Sequence, residues 1–131
     1  MKSAILTDKS PRPVGPYSQG IKVGDFLFVS GQVSLDPKTN EITGETIEEQ
    51  TKITLENLKA IVEAGGATMA DVVKVTAVLS DMSNFSAFNE VYQGFFPSPP
   101  PSRICYAANL LGKGRLLVEI DAIAYGGHGA S

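Results

Sequence analysis

The sequence predicts an α+β fold, a mixed sheet with two helices packed on one face, and three features predict it. Apolar residues recur at helical spacing in two segments, residues 47–62 and 85–95, and a β-branched run from Val72 to Leu79 lies between them. Strand-like patterns at both ends complete the order strand, strand, helix, strand, helix, strand, strand. A chain of 131 residues is expected to form one core and one domain over 1–131.

Each element has its own signal. Residues 5–7 can form a short strand, and the proline-rich run 9–18 cannot continue it, so an ordered loop is expected there. Residues 21–23 and 25–31 read as a hairpin turning at Gly24-Asp25, its second strand apolar on both faces and therefore central. After the turn cluster at 36–40, Thr46 with Glu49 three residues on has capping-box spacing. Ile47, Thr51, Leu55, Leu58, Ile61 and Val62 then mark a helix, with Gly65-Gly66 as its left-handed stop. Residues 68–71 make one helical turn before the strand 72–79, in which Lys74 and Thr76 share a face. Ser83 can cap the second helix, and Pro97 with Pro99-Pro100-Pro101 stops it. Residues 103–109 and 115–125 are expected to form a final hairpin around the glycines of 110–114. The tail 126–131 has no packing residues and is expected to be disordered.

Composition excludes several classes. The single cysteine cannot form an internal disulfide, and with one histidine no zinc site assembles. No apolar run approaches the roughly 20 residues that span a bilayer, and the first residues turn polar too early for a secretory signal, so a cytoplasmic protein without membrane contact is expected. A net charge of −3 without a basic stripe makes nucleic acid an unfavoured partner.

The final hairpin carries the candidate chemistry. A loop at 110–114 sets Cys105 opposite Glu119 and Arg103 opposite Asp121, placing Ile104, Tyr106, Val118 and Ile120 on the helix-covered face. The other face then holds Arg103, Cys105, Leu117, Glu119, Asp121 and Ile123, a mixture suited to an interface with another copy. Arg103 has the donor fork that matches a small carboxylate, and a cross-strand salt bridge with Asp121 is the plainer alternative. Glu119 suits a general base or water holder, or a paired strand carboxylate. Cys105 has no histidine nearby to activate it, His128 being in the tail, so a small packing residue with a useful backbone is the commoner reading. Tyr17, in the proline-fixed loop, can cover a pocket or simply pack at a turn. Gly112-Lys113-Gly114 lacks the phosphate-loop pattern.

The motifs Gly15-Pro16-Tyr17-Ser18-Gln19-Gly20, Val29-Ser30-Gly31-Gln32, Pro101-Ser102-Arg103-Ile104-Cys105 and Val118-Glu119-Ile120, with the helix between them, resemble the reactive-intermediate deaminase family, also called RidA, YjgF or L-PSP. The resemblance covers nearly the whole chain. It implies a chorismate-mutase-like fold, a homotrimer with the sheets facing inward, and clefts at the subunit boundaries. In the deaminase branch the arginine matched by Arg103 binds the substrate carboxylate, the backbone at Cys105 contacts the nitrogen end, and the carboxylate matched by Glu119 positions water. Tyr17, Ser30, Gly31, Lys74 and Asn89 match further cleft positions. The implied reaction is hydrolysis of 2-imino acids, tautomers of 2-aminoacrylate or its butenoate analogue, to 2-keto acids and ammonia, with no cofactor and no metal. Ile104 departs from the small residue that often follows this arginine. Some relatives carry endoribonuclease or translation-inhibitor names, so an RNA-acting protein is the alternative, and a non-catalytic small-acid binder or holdase is a third reading.

Overall fold

The computed structural model describes residues 1–126, so the expectation for the tail falls outside them beyond Gly126. Six strands form one sheet: β1 (Ser3–Ile5), β2 (Gly20–Val23), β3 (Phe26–Gln32), β4 (Val72–Leu79), β5 (Ser102–Ala107) and β6 (Val118–Tyr125). Two helices, α1 (Ile47–Ala64) and α2 (Phe85–Tyr92), complete the α+β fold. No helix among the described residues is long and apolar enough to cross a membrane.

Local chemistry sets the boundaries. The Thr46 side chain accepts from the Glu49 amide at 3.1 Å while the Glu49 carboxylate accepts from the Thr46 amide at 3.1 Å, so α1 starts with two of its orphan donors satisfied. At its other end Gly65 is still right-handed, and Gly66, at φ +91°, makes the left-handed stop. The second helix is capped differently from expectation. Asp81 accepts from the Ser83 amide at 2.8 Å and starts a tight turn, Met82–Asn84, that leads into α2. An aspartate two residues upstream thus takes the role expected of Ser83.

The core lies between α1 and one face of the sheet. Leu55, Leu58, Ile61 and Val62 of α1 are buried with Leu27 and Val29 of β3, Val75, Ala77 and Leu79 of β4, and Val118, Ile120 and Ala122 of β6. Among the described residues no helix covers the opposite sheet face. Phe26, Phe28 and Tyr125 stand 44%, 44% and 48% exposed on it, with Tyr125 and Phe28 both in ring contact with Phe26.

The sheet order is β1-β2-β3-β6-β4-β5, which overturns the expected final hairpin. Strand β5 pairs in parallel with β4 and not with β6, and β6 runs antiparallel between β3 and β4. The cause is the β4–α2–β5 crossover, the connection a parallel pair requires. It lays β5 on the outer edge of β4, and the segment after β5 strides over the end of β4. There Ala108 donates its amide to the Leu79 carbonyl and Ser80 donates to the Leu117 carbonyl, both at 3.0 Å.

The register reverses the expected facing of β5. Val75 aligns with Arg103 and Ala77 with Cys105, so Arg103 and Cys105 share the helix-covered face. Ile104 and Tyr106, expected in the core, lie on the open face at 52% and 47% exposure. Thr76 stands opposite Asp121 and Val78 opposite Glu119, in place of the expected Arg103 and Cys105.

Candidate active site

The predicted residues form two half-sites on opposite faces of the sheet. The first is built around Arg103, on edge strand β5 under α2. Its Nη1 donates to Asn89 Oδ1 at 2.9 Å. Its guanidinium carbon lies 4.7 Å from the ring centroid of Tyr92, 5.5 Å from Phe88 and 5.6 Å from Phe85. Three aromatic rings hold a cation by their quadrupoles without neutralising it. Among the described residues no carboxylate pairs with Arg103, so the expected alternative of a salt bridge to Asp121 is overturned. Asp121 lies on the other face and accepts from the Thr76 amide at 3.1 Å. A cleft of about 400 Å³ opens at Arg103, lined by Asn89, Tyr92, Phe96 and Pro101 among others.

Cys105 lies two residues along the same face, partly buried against the core. Burial pushes its thiol pKa up, and the Arg103 charge offsets only part of that rise. A thiol held neutral next to no base is a poor nucleophile. Tyr92 shares this environment. Its pKa is raised by burial and partly lowered by Arg103, and its hydroxyl is buried without a well-formed hydrogen bond.

The second half-site is built around Glu119, on central strand β6. Between Val29, opposite Ala122, and Gln32, opposite Ile120, β3 carries one residue more than β6, a bulge at Ser30-Gly31. The bulge brings the Gly31 backbone against the Glu119 carboxylate, which occupies the space a β-carbon at residue 31 needs. Burial raises the Glu119 pKa above its usual 4.5, and the nearby Asp121 charge raises it further. A small pocket of about 60 Å³ brings Glu119 together with Gly31, Tyr17, Arg12 and Leu111.

The loop over this pocket is held by residues that spacing does not reveal. Buried Gln19 accepts from the Thr7 amide at 2.8 Å and donates to the Thr7, Ser10 and Pro11 carbonyls at 3.0, 3.2 and 2.9 Å. Ser10 donates to Gln32 Oε1 at 3.2 Å, and Gln32 donates to the Ser30 carbonyl at 3.1 Å. Ser30 uses its hydroxyl on the Ser18 carbonyl at 2.6 Å, so it fixes the loop carrying Tyr17. The Tyr17 hydroxyl accepts from the Val14 amide at 3.2 Å, leaving the ring 45% exposed at the pocket. Gln50 accepts from the Leu117 amide at 2.8 Å and donates to the Arg115 carbonyl at 2.8 Å, which fixes the start of β6.

Arg103, Asn89 and Cys105 therefore belong to one half-site, and Glu119, Gly31, Ser30 and Tyr17 to the other. Lys74 belongs to neither, lying exposed on the open face of β4. In sequence the aromatic cage shows only as part of the helical apolar pattern of residues 85–95. Its helical spacing is that of any buried helix face, and nothing in it signals a cation. Among the described residues no three His, Cys, Asp or Glu side chains are grouped to hold a metal.

The fold is a two-helix, six-stranded α+β layer, and its edge strand carries an arginine among three aromatic rings with no carboxylate partner among the described residues. Residues 7–126 match the family model described as Endoribonuclease L-PSP, and the chain belongs to this family, also known as RidA/YjgF. It is 50% identical over 124 residues to a RutC family protein of Saccharolobus solfataricus, covering 95% of this chain and 98% of that one. It is 39% identical over 123 residues to Reactive Intermediate Deaminase A, chloroplastic, of Arabidopsis thaliana, covering 94% of this chain and 65% of the relative. The crystal structure of Escherichia coli TdcF with bound serine superposes with a TM-score of 0.87 at 36% identity, covering 94% of this chain and 98% of that one. The family thus includes proteins named as deaminases alongside others named RutC or endoribonuclease.

Proposed function

We propose that the protein hydrolyses 2-imino acids, the tautomers of 2-aminoacrylate and 2-aminobutenoate, to 2-keto acids and ammonia. The observation that carries this reading is the unpaired Arg103 guanidinium, fixed by Asn89 and three rings beside a cleft. The serine bound in TdcF supports it, being a small molecule with a carboxylate of the same kind. Arg103 fixes the substrate carboxylate through its free donors. Glu119, ionised, takes a proton from water as the water oxygen bonds to the imine carbon. That proton passes to the nitrogen to give the carbinolamine; Glu119 then moves the carbinolamine hydroxyl proton to the nitrogen as the C–N bond breaks, so that ammonia leaves and the keto oxygen remains.

The two half-sites lie on opposite faces of one sheet, so one copy supplies Arg103 and a second supplies Glu119. A homotrimer with the open sheet faces turned inward meets this requirement and covers Phe28, Ile104 and Tyr106. In this arrangement Tyr17 covers the ligand, the Gly31 backbone approaches it, and backbone groups at Cys105 hold the nitrogen end.

The test couples a dehydratase that releases 2-aminoacrylate to measured pyruvate formation. The protein is expected to accelerate pyruvate release over buffer. Arg103→Ala is expected to lower kcat/KM by roughly thirty- to several-hundred-fold, as loss of a charge-assisted contact costing about 2–4 kcal/mol. No acceleration by the intact protein, or full acceleration by the variant, would refute the reading.

A further inference from the structure

The geometry points to Arg12 as a second anion-binding residue at the mouth of the Glu119 pocket, selecting 2-imino acids that carry a carboxylate on their side chain. This inference rests on the deaminase reading for the identity of the ligand. Arg12 itself has no part in that reading.

Arg12 stands between Pro11 and Pro13, whose rings fix the flanking backbone. Its amide donates to Asn40 Oδ1 at 3.1 Å, and Asn40 Nδ2 donates back to the Arg12 carbonyl at 2.9 Å. Asn40 is itself fixed in a tight turn, at φ +61°, with its amide on the Asp36 carbonyl at 2.8 Å. Buried Gln19 holds the preceding Pro11 carbonyl. The backbone of Arg12 is thus held from two sides, and its guanidinium forms no ion pair among the described residues.

Arg12 lines the pocket of Glu119, Gly31 and Tyr17, and also the adjoining cleft of about 690 Å³ with Asp8, Lys9, Asp36 and Lys38. Asp36 Oδ1 is already engaged, accepting from the Lys38 and Thr39 amides at 2.7 and 3.3 Å. The guanidinium is not spent on Glu119 either. The Glu119 carboxylate is governed by burial and by Asp121, both of which disfavour its charge. A backbone-anchored cation without an ion pair among the described residues therefore stands at the rim of the Glu119 pocket, where it would meet the side chain of a ligand that extends toward the rim while its α-carboxylate is held by Arg103 of the neighbouring copy. A neutral side chain gains nothing from Arg12, and a terminal carboxylate gains a charge-assisted hydrogen bond.

The experiment is titration of the assembled protein with 2-oxoglutarate and with 2-oxobutanoate, the keto acids of an acidic and a neutral imine, followed by calorimetry. The dicarboxylate is expected to bind about tenfold more tightly, the value of one partly exposed charged hydrogen bond. Arg12→Ala is expected to bring the ratio to about one without changing 2-oxobutanoate affinity, and Arg12→Lys to keep part of it. A wild-type ratio of one or less, a ratio unchanged in Arg12→Ala, or no binding of either keto acid would overturn the inference. Turnover separates the two readings. Keto-acid discrimination that depends on Arg12, in a protein that hydrolyses neither imine, sinks the deaminase reading and leaves the anion site. Hydrolysis of the neutral imine without any such discrimination sinks the Arg12 inference alone.

Discussion

Gly31→Ala separates a folding effect from a catalytic one with a single methyl group. The added β-carbon overlaps Glu119 Oε2 and lies 3.2 Å from Cδ and 3.3 Å from Cγ. Gly31 is not among the glycines with positive φ, so alanine fits the backbone and the whole conflict falls on the Glu119 side chain. Turning that side chain off its preferred rotamer costs about 0.5–1.5 kcal/mol, so the thermal midpoint should fall by only about 2–6 °C. The carboxylate must move by about an ångström or more, and misplacing a catalytic group by that amount costs on the order of 100-fold in rate. The assay is kcat for pyruvate formation from dehydratase-generated 2-aminoacrylate, read beside a thermal melt. Placing Gly31→Ala in a Glu119→Ala background should add no further loss, because the displaced group is already gone. A loss of less than about fivefold, or losses that add in the double variant, would refute the placement of Glu119 as the working carboxylate.

Tyr92→Phe keeps the ring over Arg103 and removes a buried hydroxyl that lacks a well-formed hydrogen bond. Stability in denaturant titration should hold or rise by up to about 1 kcal/mol. Asp121→Asn removes a charge that raises the Glu119 pKa. Glu119 must be ionised to act as base, so the acid limb of the pH profile of kcat/KM, expected above 4.5, should shift to lower pH in this variant and disappear in Glu119→Gln. Coexpressed Arg103→Ala and Glu119→Ala chains should regain about one quarter of wild-type activity. Random pairing at equal amounts gives that fraction of clefts an intact arginine from one copy and an intact glutamate from another, and no recovery would place both groups within one subunit.

Sequence reading was most successful where the determining interactions are local. The capping box at Thr46, the left-handed Gly66 and the hairpin at Gly24-Asp25 each depend on residues within a few positions of one another, and all three are present. Strand pairing is not local, and there the reading failed. Two consecutive strand patterns with glycines between them read as a hairpin, and only the crossover through α2 reveals that β4 separates them. The β5 error has a second cause. Ile104 and Tyr106 are apolar and lie on the open face, while Arg103 points under α2, so alternation along β5 carries the opposite sense to that of an ordinary one-sided strand. Gln19 was legible only as part of a motif, because nothing in its neighbours shows that one buried amide will hold three carbonyls and an amide.

That inversion of β5 bears on how such a site operates. A cation placed on the open sheet face beside Glu119 would form an internal ion pair, lower the carboxylate pKa and consume the anchor. With Arg103 on the edge strand under α2 and Glu119 on the central strand of the other face, the two charges cannot neutralise each other within a chain. Each is left unsatisfied, Arg103 in a ring cage and Glu119 against the Gly31 backbone. In the proposed assembly a ligand would lie between charges that folding has kept apart. On that proposal the contact that buries the apolar residues of the open face is also the contact that completes the cleft.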